Sequence, residues 1–351
     1  MGTAEAETRQ SKGDAAKRRQ RVVSGFRPTG RLHLGHLKGA LSNWIRLQDE
    51  AECFFFVADW HALTTGYEDT GGIVPSTRDM VIDWLAAGLD PEKAVLFQQS
   101  AVKQHAELHL LLSMIVPTPW LLRNPTIKEQ ARELGLIAED DETSMTQLNY
   151  GLLGYPILQS ADILLYRAYG VPVGIDQVPH LELTREVARR FNRIYREVFP
   201  EPAALLTESP KIPGTDGRKM SKSYNNAVFL SDTPGEIDAK LSRMMTDPRR
   251  VRRTDPGDPN DCPAFLLHRV YCTPEEIEYV SAGCRTAGIG CLECKKVMIK
   301  HVIADIEPIR ARRLELEKRP DQVAAVLEQG NRSARAEAEK TMGDVRAAMK
   351  I

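Results

Sequence analysis

The chain lacks any apolar run long enough to cross a bilayer. Its longest, around Cys53 to Ala58, is strand-sized, far short of the ~20 residues a membrane helix needs. It also lacks a charge imbalance: 47 basic residues stand against 48 acidic ones, a net charge of −1. Bulk charge therefore argues for no polyanionic partner, and any nucleic-acid contact must come from a local patch. Two common nucleotide signatures are missing, GxxxxGK[ST] and a GxGxxG after a strand, which excludes P-loop enzymes and dinucleotide dehydrogenases. The opening segment, MGTAEAETRQSKGDAAKRRQ, has no apolar core, so it does not read as a secretory signal. It is too polar to offset the entropy of ordering, and residues 1–20 are expected to form a disordered tail. Six cysteines in 351 residues are too few for a disulfide scaffold. Five of them fall between 262 and 294, however, and that clustering suggests a metal.

What is present is an ordinary globular composition, 42% hydrophobic and 27% charged, in a chain long enough for two packed units. Strand-like runs alternate with helical ones. Strands are expected at Arg21 to Phe26, Cys53 to Leu63, Ala94 to Ser100 and Val171 to Ile175. Helices are expected at Pro75 to Gly88, from Gln104, at Tyr155 to Tyr169 and at Gln177 to Phe199. That alternation is the pattern of an α/β, Rossmann-like parallel sheet, whose ligands bind beyond the carboxyl ends of the strands. From Gly235 onward the pattern is helical, which predicts an all-α C-terminal domain. The expected division is a catalytic nucleotide-binding domain over 21–224 and a helical domain over 225–351, with its last helices packing back.

Two elements carry chemistry. His33-Leu34-Gly35-His36 follows the first strand and opens a helix, so two imidazoles share one face of a first turn whose N–H groups favour phosphate oxygens. Gly35, without a side chain, would let a flat ring approach the backbone. Lys219-Met220-Ser221-Lys222-Ser223 follows the glycine-containing Gly214-Thr215-Asp216-Gly217. Two lysines on such a loop can settle on the charge developing on a pyrophosphate leaving group.

With HxGH after the first strand and KMSKS after the last, the chain resembles the class I aminoacyl-tRNA synthetases. SGFRPTGRLHLGH, VADWHALTT, YPILQSADILLY, VPVGIDQVPHLELTREVARRFN, PGTDGRKMSKS and MMTDPRRVRRTDPGDP are similar to bacterial tryptophanyl-tRNA synthetases, across Val22 to Met349. The resemblance implies activation of L-tryptophan by ATP with Mg²⁺, transfer to the tryptophan tRNA, a cytoplasmic location, no membrane partner and a homodimer. It implies ATP contacts at Arg27, Pro28, Thr29, Gly35, His36, Gly174, Ile175, Asp176, Ile212, Lys219, Met220, Ser221, Lys222 and Ser223. Catalytic roles fall to His33, His36, Lys219, Lys222 and Lys128. Asp162 would accept the indole N–H, a donor matched to an ionised acceptor. Tyr155, Gln159, His61, Gln177, Val171 and Val173 would line the rest of the pocket. Arg27 stands where many members have glutamine, Gln159 replaces a frequent methionine, and Ile175 replaces an acidic residue. Tyrosine stays open as an alternative substrate, and a synthetase-like paralogue with a binding role as an alternative function.

Cys262, Cys284, Cys291 and Cys294 form C-x21-C-x6-C-x2-C, a set that could hold Zn²⁺ or a [4Fe–4S] cluster. A subset of bacterial tryptophanyl enzymes resembles this segment and carries the cluster, which makes zinc the lesser expectation. Arg243, Arg249, Arg250, Arg252 and Arg253 form one dense basic patch, expected to meet tRNA phosphates. Lys17, Arg18, Arg19 and Arg21 would add a further contact.

Overall fold

The computed structural model describes residues 20–137, 145, 148–174, 177–206 and 212–351. The tail expected over residues 1–20, with Lys17 to Arg19, lies almost wholly outside them, as do Ile175 and Asp176.

Five strands form one parallel sheet: β1 (Arg21–Phe26), β2 (Glu52–Val57), β3 (Ala94–Gln98), β4 (Gly170–Val173) and β5 (Ala203–Leu206), in the order β3-β2-β1-β4-β5. The β1–β2 register runs from Arg21 opposite Glu52 to Phe26 opposite Val57. Alternating residues explain the apolar run of β2. Cys53, Phe55 and Val57 enter the core on one face, and Phe54 and Phe56 the core on the other. A strand covered on both faces needs both sets apolar.

Chain order reverses at β1, between β2 and β4, so the crevice beyond the carboxyl ends of β1 and β4 is the topological switch point. β1 delivers Arg27 to His36 there. A short turn, Leu34–His36, runs through a π-helical stretch, Leu37–Leu41, into the helix Ser42–Glu50. Trp44 of that helix stacks between Phe26 (4.5 Å) and Phe55 (4.3 Å), which fixes the turn against the sheet.

The C-terminal third is helical: Pro234–Ser242, Pro263–Tyr271, Pro274–Arg285, Cys291–Glu317 and Pro320–Met349. The last of these crosses the edge strand β3. A side chain at Gly330 would place its Cβ 1.8 Å from the Leu96 carbonyl oxygen, and Asn331 Oδ1 accepts from Gln98 N at 2.9 Å. The same helix buries Ala334, Ala338, Met342 and Val345 in the sheet's core.

The structure corrects several expected boundaries. The strand expected over Cys53 to Leu63 ends at Val57, and Asp59–Gly66 is a helix. Its first residue, Asp59, accepts from Ser100 N at 3.0 Å and from Gln98 Nε2 at 2.7 Å, which turns the chain across β3. The Gln177 to Phe199 helix is instead Val178–Ile194, stopping where Tyr195 leaves helical backbone angles. The edge strand β5 was not foreseen, since AALL alternates too weakly to declare itself.

Candidate active site

His33 caps the signature turn. Its Nδ1 accepts from Gly35 N at 3.1 Å, while His33 N donates to His36 Nδ1 at 3.2 Å. Each imidazole thus spends Nδ1 as an acceptor, which leaves Nε2 carrying the hydrogen. Burial, helped by the nearby Lys222 and Lys219 charges, lowers the His33 pKa to about 4. Burial and the neighbouring His33 hold His36 well below the usual histidine value. The pair therefore acts near neutral pH as two uncharged N–H donors. The rings lie 3.8 Å apart, and the absent Cβ of Gly35 is what admits the His33 ring, at 3.0 Å. The space over Gly35 thus holds an imidazole in this conformation.

The KMSKS segment lies opposite. Met220 is buried and its N donates to Ile212 O at 3.2 Å, while Lys219 and Ser223 are exposed. Lys222 Nζ donates to Thr29 O at 2.6 Å, joining the two signature segments. Burial lowers its pKa to about 8 against the opposing pull of Asp83 and Asp79. Asn226, foreseen by no motif, organises the loop: its Oδ1 accepts from Ser221 N at 2.8 Å, and its Nδ2 donates to Asp216 Oδ1 at 2.7 Å and Lys219 O at 3.2 Å.

Asp162 is 1% exposed on the helix Tyr150–Leu164. Tyr155, Gln159 and Asp162, at i, i+4 and i+7, share one face of it. Four hydrogen bonds reach the Asp162 carboxylate: His105 Nδ1 at 2.6 Å, His61 Nε2 at 2.8 Å, and Gln99 Nε2 at 2.8 and 3.0 Å. Burial alone would raise its pKa. The histidine hydrogen bonds and charges outweigh that and hold it well below the carboxylate range. The Tyr166 hydroxyl, kept protonated by burial, pairs with His105 Nε2 at 2.8 Å. The Tyr155 hydroxyl, whose pKa burial raises, pairs with His180 Nε2 at 2.7 Å. Val171 and Val173 are buried in β4 below, Gln177 opens the helix Val178–Ile194, and Gly174 is exposed at the end of β4.

The structure thus brings His61 to Asp162, and His33 and His36 to the KMSKS lysines. Arg27 and Thr29 are exposed, Pro28 is buried, and the Arg27 charge reaches Tyr155. Lys128 lies half-buried on the separate helix Pro125–Glu133, whose cap Asn124 approaches His180 at 3.5 Å. Sequence reasoning missed Gln99, His105, His180 and Asn226. No local signal marks them, because each acts through a partner at least five residues away, most of them across the fold.

Cys262, Cys284, Cys291 and Cys294 line one small cavity with Arg250, His268 and Lys295. Burial, then the other three thiols, push Cys294 up to about 12, and His268 Nε2 lies 3.4 Å from its sulfur. Among the described residues, the one set of three donor atoms within 4.8 Å of each other is Cys272, Glu276 and His301. There Glu276 is already engaged by Lys300 and His301, each at 2.6 Å. Two of the basic residues expected at tRNA are placed otherwise. Arg250 is turned inward, donating to Arg253 O at 3.1 Å and to Ile289 O at 2.5 Å. Arg21 lies in β1, paired with Glu52 at 3.0 Å and Glu337 at 3.3 Å. Arg243, Arg252 and Arg253 are exposed, and Arg249 is exposed but paired with Asp247 (3.2 Å) and Asp261 (2.5 Å).

Residues 15–304 match the family of class I tRNA synthetases for W and Y. A tryptophan–tRNA ligase of Thermotoga maritima is 53% identical over 333 residues, covering 94% of this chain and 99% of its own. One of Aquifex aeolicus is 47% identical over 393 residues, covering 94% and 100%. Among solved structures, the tryptophanyl-tRNA synthetase of Campylobacter jejuni complexed with ADP and tryptophan is similar with a TM-score of 0.82 and 30% identity, over 94% of this chain and 100% of that one. The chain belongs to the class I tRNA synthetases of the W and Y family, among the tryptophan–tRNA ligases.

Proposed function

We infer that this chain activates L-tryptophan with ATP, forming tryptophanyl-adenylate and pyrophosphate, and then transfers tryptophan to its tRNA. The observation that carries the reading is the buried, ionised Asp162 beside the switch-point crevice, with His61 against it and the two signature segments at the crevice mouth. The tryptophan carboxylate attacks the α-phosphorus as the bond to pyrophosphate breaks. It is already an anion and requires no general base. In this reading the His33 and His36 Nε2–H groups donate to phosphate oxygens, and the Lys219 and Lys222 ammonium groups take up charge on the leaving pyrophosphate. Mg²⁺ arrives with ATP, held by its phosphates. Arg27, Pro28, Thr29, Gly35, Gly174, Asp176 and Ile212 surround the nucleotide, and Lys128 reaches it from its own helix. Tyr155 and Gln177 receive the α-amino group, while Gln159, Val171 and Val173 close the indole pocket. A tRNA terminal hydroxyl then attacks the adenylate carbonyl, and AMP leaves. Charging of a tryptophan-tRNA transcript with tryptophan, and none of a tyrosine-tRNA transcript with tyrosine, is the expected result. The reverse pattern would shift the reading to a tyrosine enzyme.

The catalytic unit spans 21–224 and the tRNA-binding unit 225–351, with Arg243, Arg249, Arg252 and Arg253 offered to phosphates, in a cytoplasmic homodimer. The four cysteines suit a [4Fe–4S] cluster. They are four soft thiol donors around one cavity, the donor set such a cluster takes. Bound there, the cluster would supply a structural cross-link among the helices that carry Cys262, Cys284, Cys291 and Cys294. Iron and acid-labile sulfide in anaerobically prepared protein test it, and absence of both refutes it.

A further inference from the structure

We propose that the buried ion pair of Asp83 and Arg313 is a positioning pair for the ATP step, holding the signature turn in place from the C-terminal helices. Asp83, on the helix Ile73–Ala87, is 0% exposed and Arg313, on Cys291–Glu317, is 1% exposed. Arg313 Nη1 donates to Asp83 Oδ1, and its Nη2 lies 3.0 Å from Asp79 and 3.0 Å from Glu317. The second oxygen of Asp83 is not used on the guanidinium. Oδ2 accepts from Leu32 N at 2.7 Å, one residue before His33.

Leu32 O accepts from Leu230 N at 3.0 Å, and Leu34 N donates to Val228 O at 3.0 Å. The backbone entering the turn is thus held on one side by Asp83 and on the other by the segment that follows the KMSKS loop. A buried pair is by itself weak evidence for stability, since packed apolar residues hold helices as well. An apolar replacement could not, however, accept from Leu32 N. The Asp83 charge also acts on Lys222, where it favours the ammonium form. One carboxylate therefore serves both halves of the phosphate site. Its partner comes from a 27-residue helix, ~40 Å long, whose first turn carries Cys291 and Cys294. None of these groups touches Asp162, whose partners are His61, Gln99 and His105. The pair should govern the ATP step and leave tryptophan binding alone.

The inference rests on the reading of His33 and His36 as phosphate donors. The test compares full-length Asp83→Asn, Asp83→Ala and Arg313→Lys with His33→Ala. It reads kcat and the KM for ATP in tryptophan-dependent pyrophosphate exchange, tryptophan affinity by calorimetry without ATP, and Tm. A displaced turn is expected to lower kcat/KM for ATP by about 10- to 100-fold, with tryptophan affinity within twofold of the parent. Asp83→Asn, which keeps an acceptor for Leu32 N, should lose less than Asp83→Ala. Exchange parameters within twofold of the parent in folded Asp83→Ala protein would overturn the proposal. So would a lowered Tm with unchanged kcat/KM, or an equal loss of tryptophan affinity. If Asp83→Ala does not fold, Asp83→Asn and Arg313→Lys carry the same comparison. If His33→Ala leaves exchange intact, the reading of the signature histidines fails first. If His33→Ala abolishes exchange while the Asp83 variants retain it, only the role of the pair fails.

Discussion

Replacing Asp162 by asparagine removes one oxygen and the charge while keeping the shape. The carboxylate accepts four hydrogen bonds, two on each oxygen. Whichever way the amide is turned, its NH₂ faces one histidine nitrogen that had an acceptor, His105 or His61, while Gln99 Nε2 keeps the remaining oxygen. A hydrogen bond to a charged group contributes roughly 1.5–3 kcal/mol, and each unpaired buried donor costs about 1–3 kcal/mol. The first figure sets the expected loss for the indole N–H, which must displace one of these four hydrogen bonds, since they already fill the acceptor sites of the carboxylate. At 1.4 kcal/mol per tenfold, kcat/KM for tryptophan should fall by about 10- to 150-fold. The second figure predicts a lower Tm, so catalysis must be read on protein shown to be folded. The pH dependence has a definite sign. The folded pKa lies below the unfolded value, so this contribution to stability is complete above the ordinary aspartate range and is lost as pH falls through the folded pKa. Tryptophan-dependent pyrophosphate exchange over a range of tryptophan concentrations gives kcat/KM, and denaturation at several pH values gives the rest. A folded Asp162→Asn protein with kcat/KM for tryptophan within twofold of the parent would refute the reasoning.

Four further outcomes are expected. Lys222, with a pKa of about 8, is cationic below that value, so kcat/KM for ATP should decline as pH rises through about 8, and Lys222→Arg should shift that limb upward. His33, buried with a pKa of about 4, is neutral at pH 7. The two signature histidines should add no limb near 6.5 to the activity profile, and the stability that His33 contributes above its unfolded pKa should be lost as pH falls from about 6.5 to about 4. Gly330→Ala forces a Cβ onto the Leu96 carbonyl and should destabilise by about 1–3 kcal/mol or more, read as a lower denaturation midpoint with little change in slope. Neutralising Arg252 and Arg253 should flatten the salt dependence of tRNA binding, while pyrophosphate exchange stays at the parent level.

The sheet was legible because its strands are buried on both faces, and runs such as CFFFV can be little else. β5 was not, because a short edge strand half in solvent carries neither a long run nor clear alternation. The signature turn and the KMSKS loop were legible as local chemistry. What holds them was not. Asp83 reaches Leu32 across 51 positions, and Arg313 reaches Asp83 across 230. Gln99 and His105 sit in or just beyond the turn after β3, and nothing in QQSAVKQH distinguishes a buried glutamine bonded to Asp162 from a surface one. The arginine patch was legible as charge but not as orientation. Arg250 turns inward to Ile289 O while Arg252 and Arg253 face solvent. Residue type signals what a group can do, whereas its partner is set by tertiary packing.

The most direct test of the central claim is ATP–pyrophosphate exchange measured with each of the twenty amino acids in turn on the full-length protein. Exchange driven by tryptophan, with tyrosine and the rest at background, is the expected result. Exchange driven by tyrosine, or by no amino acid, would contradict it.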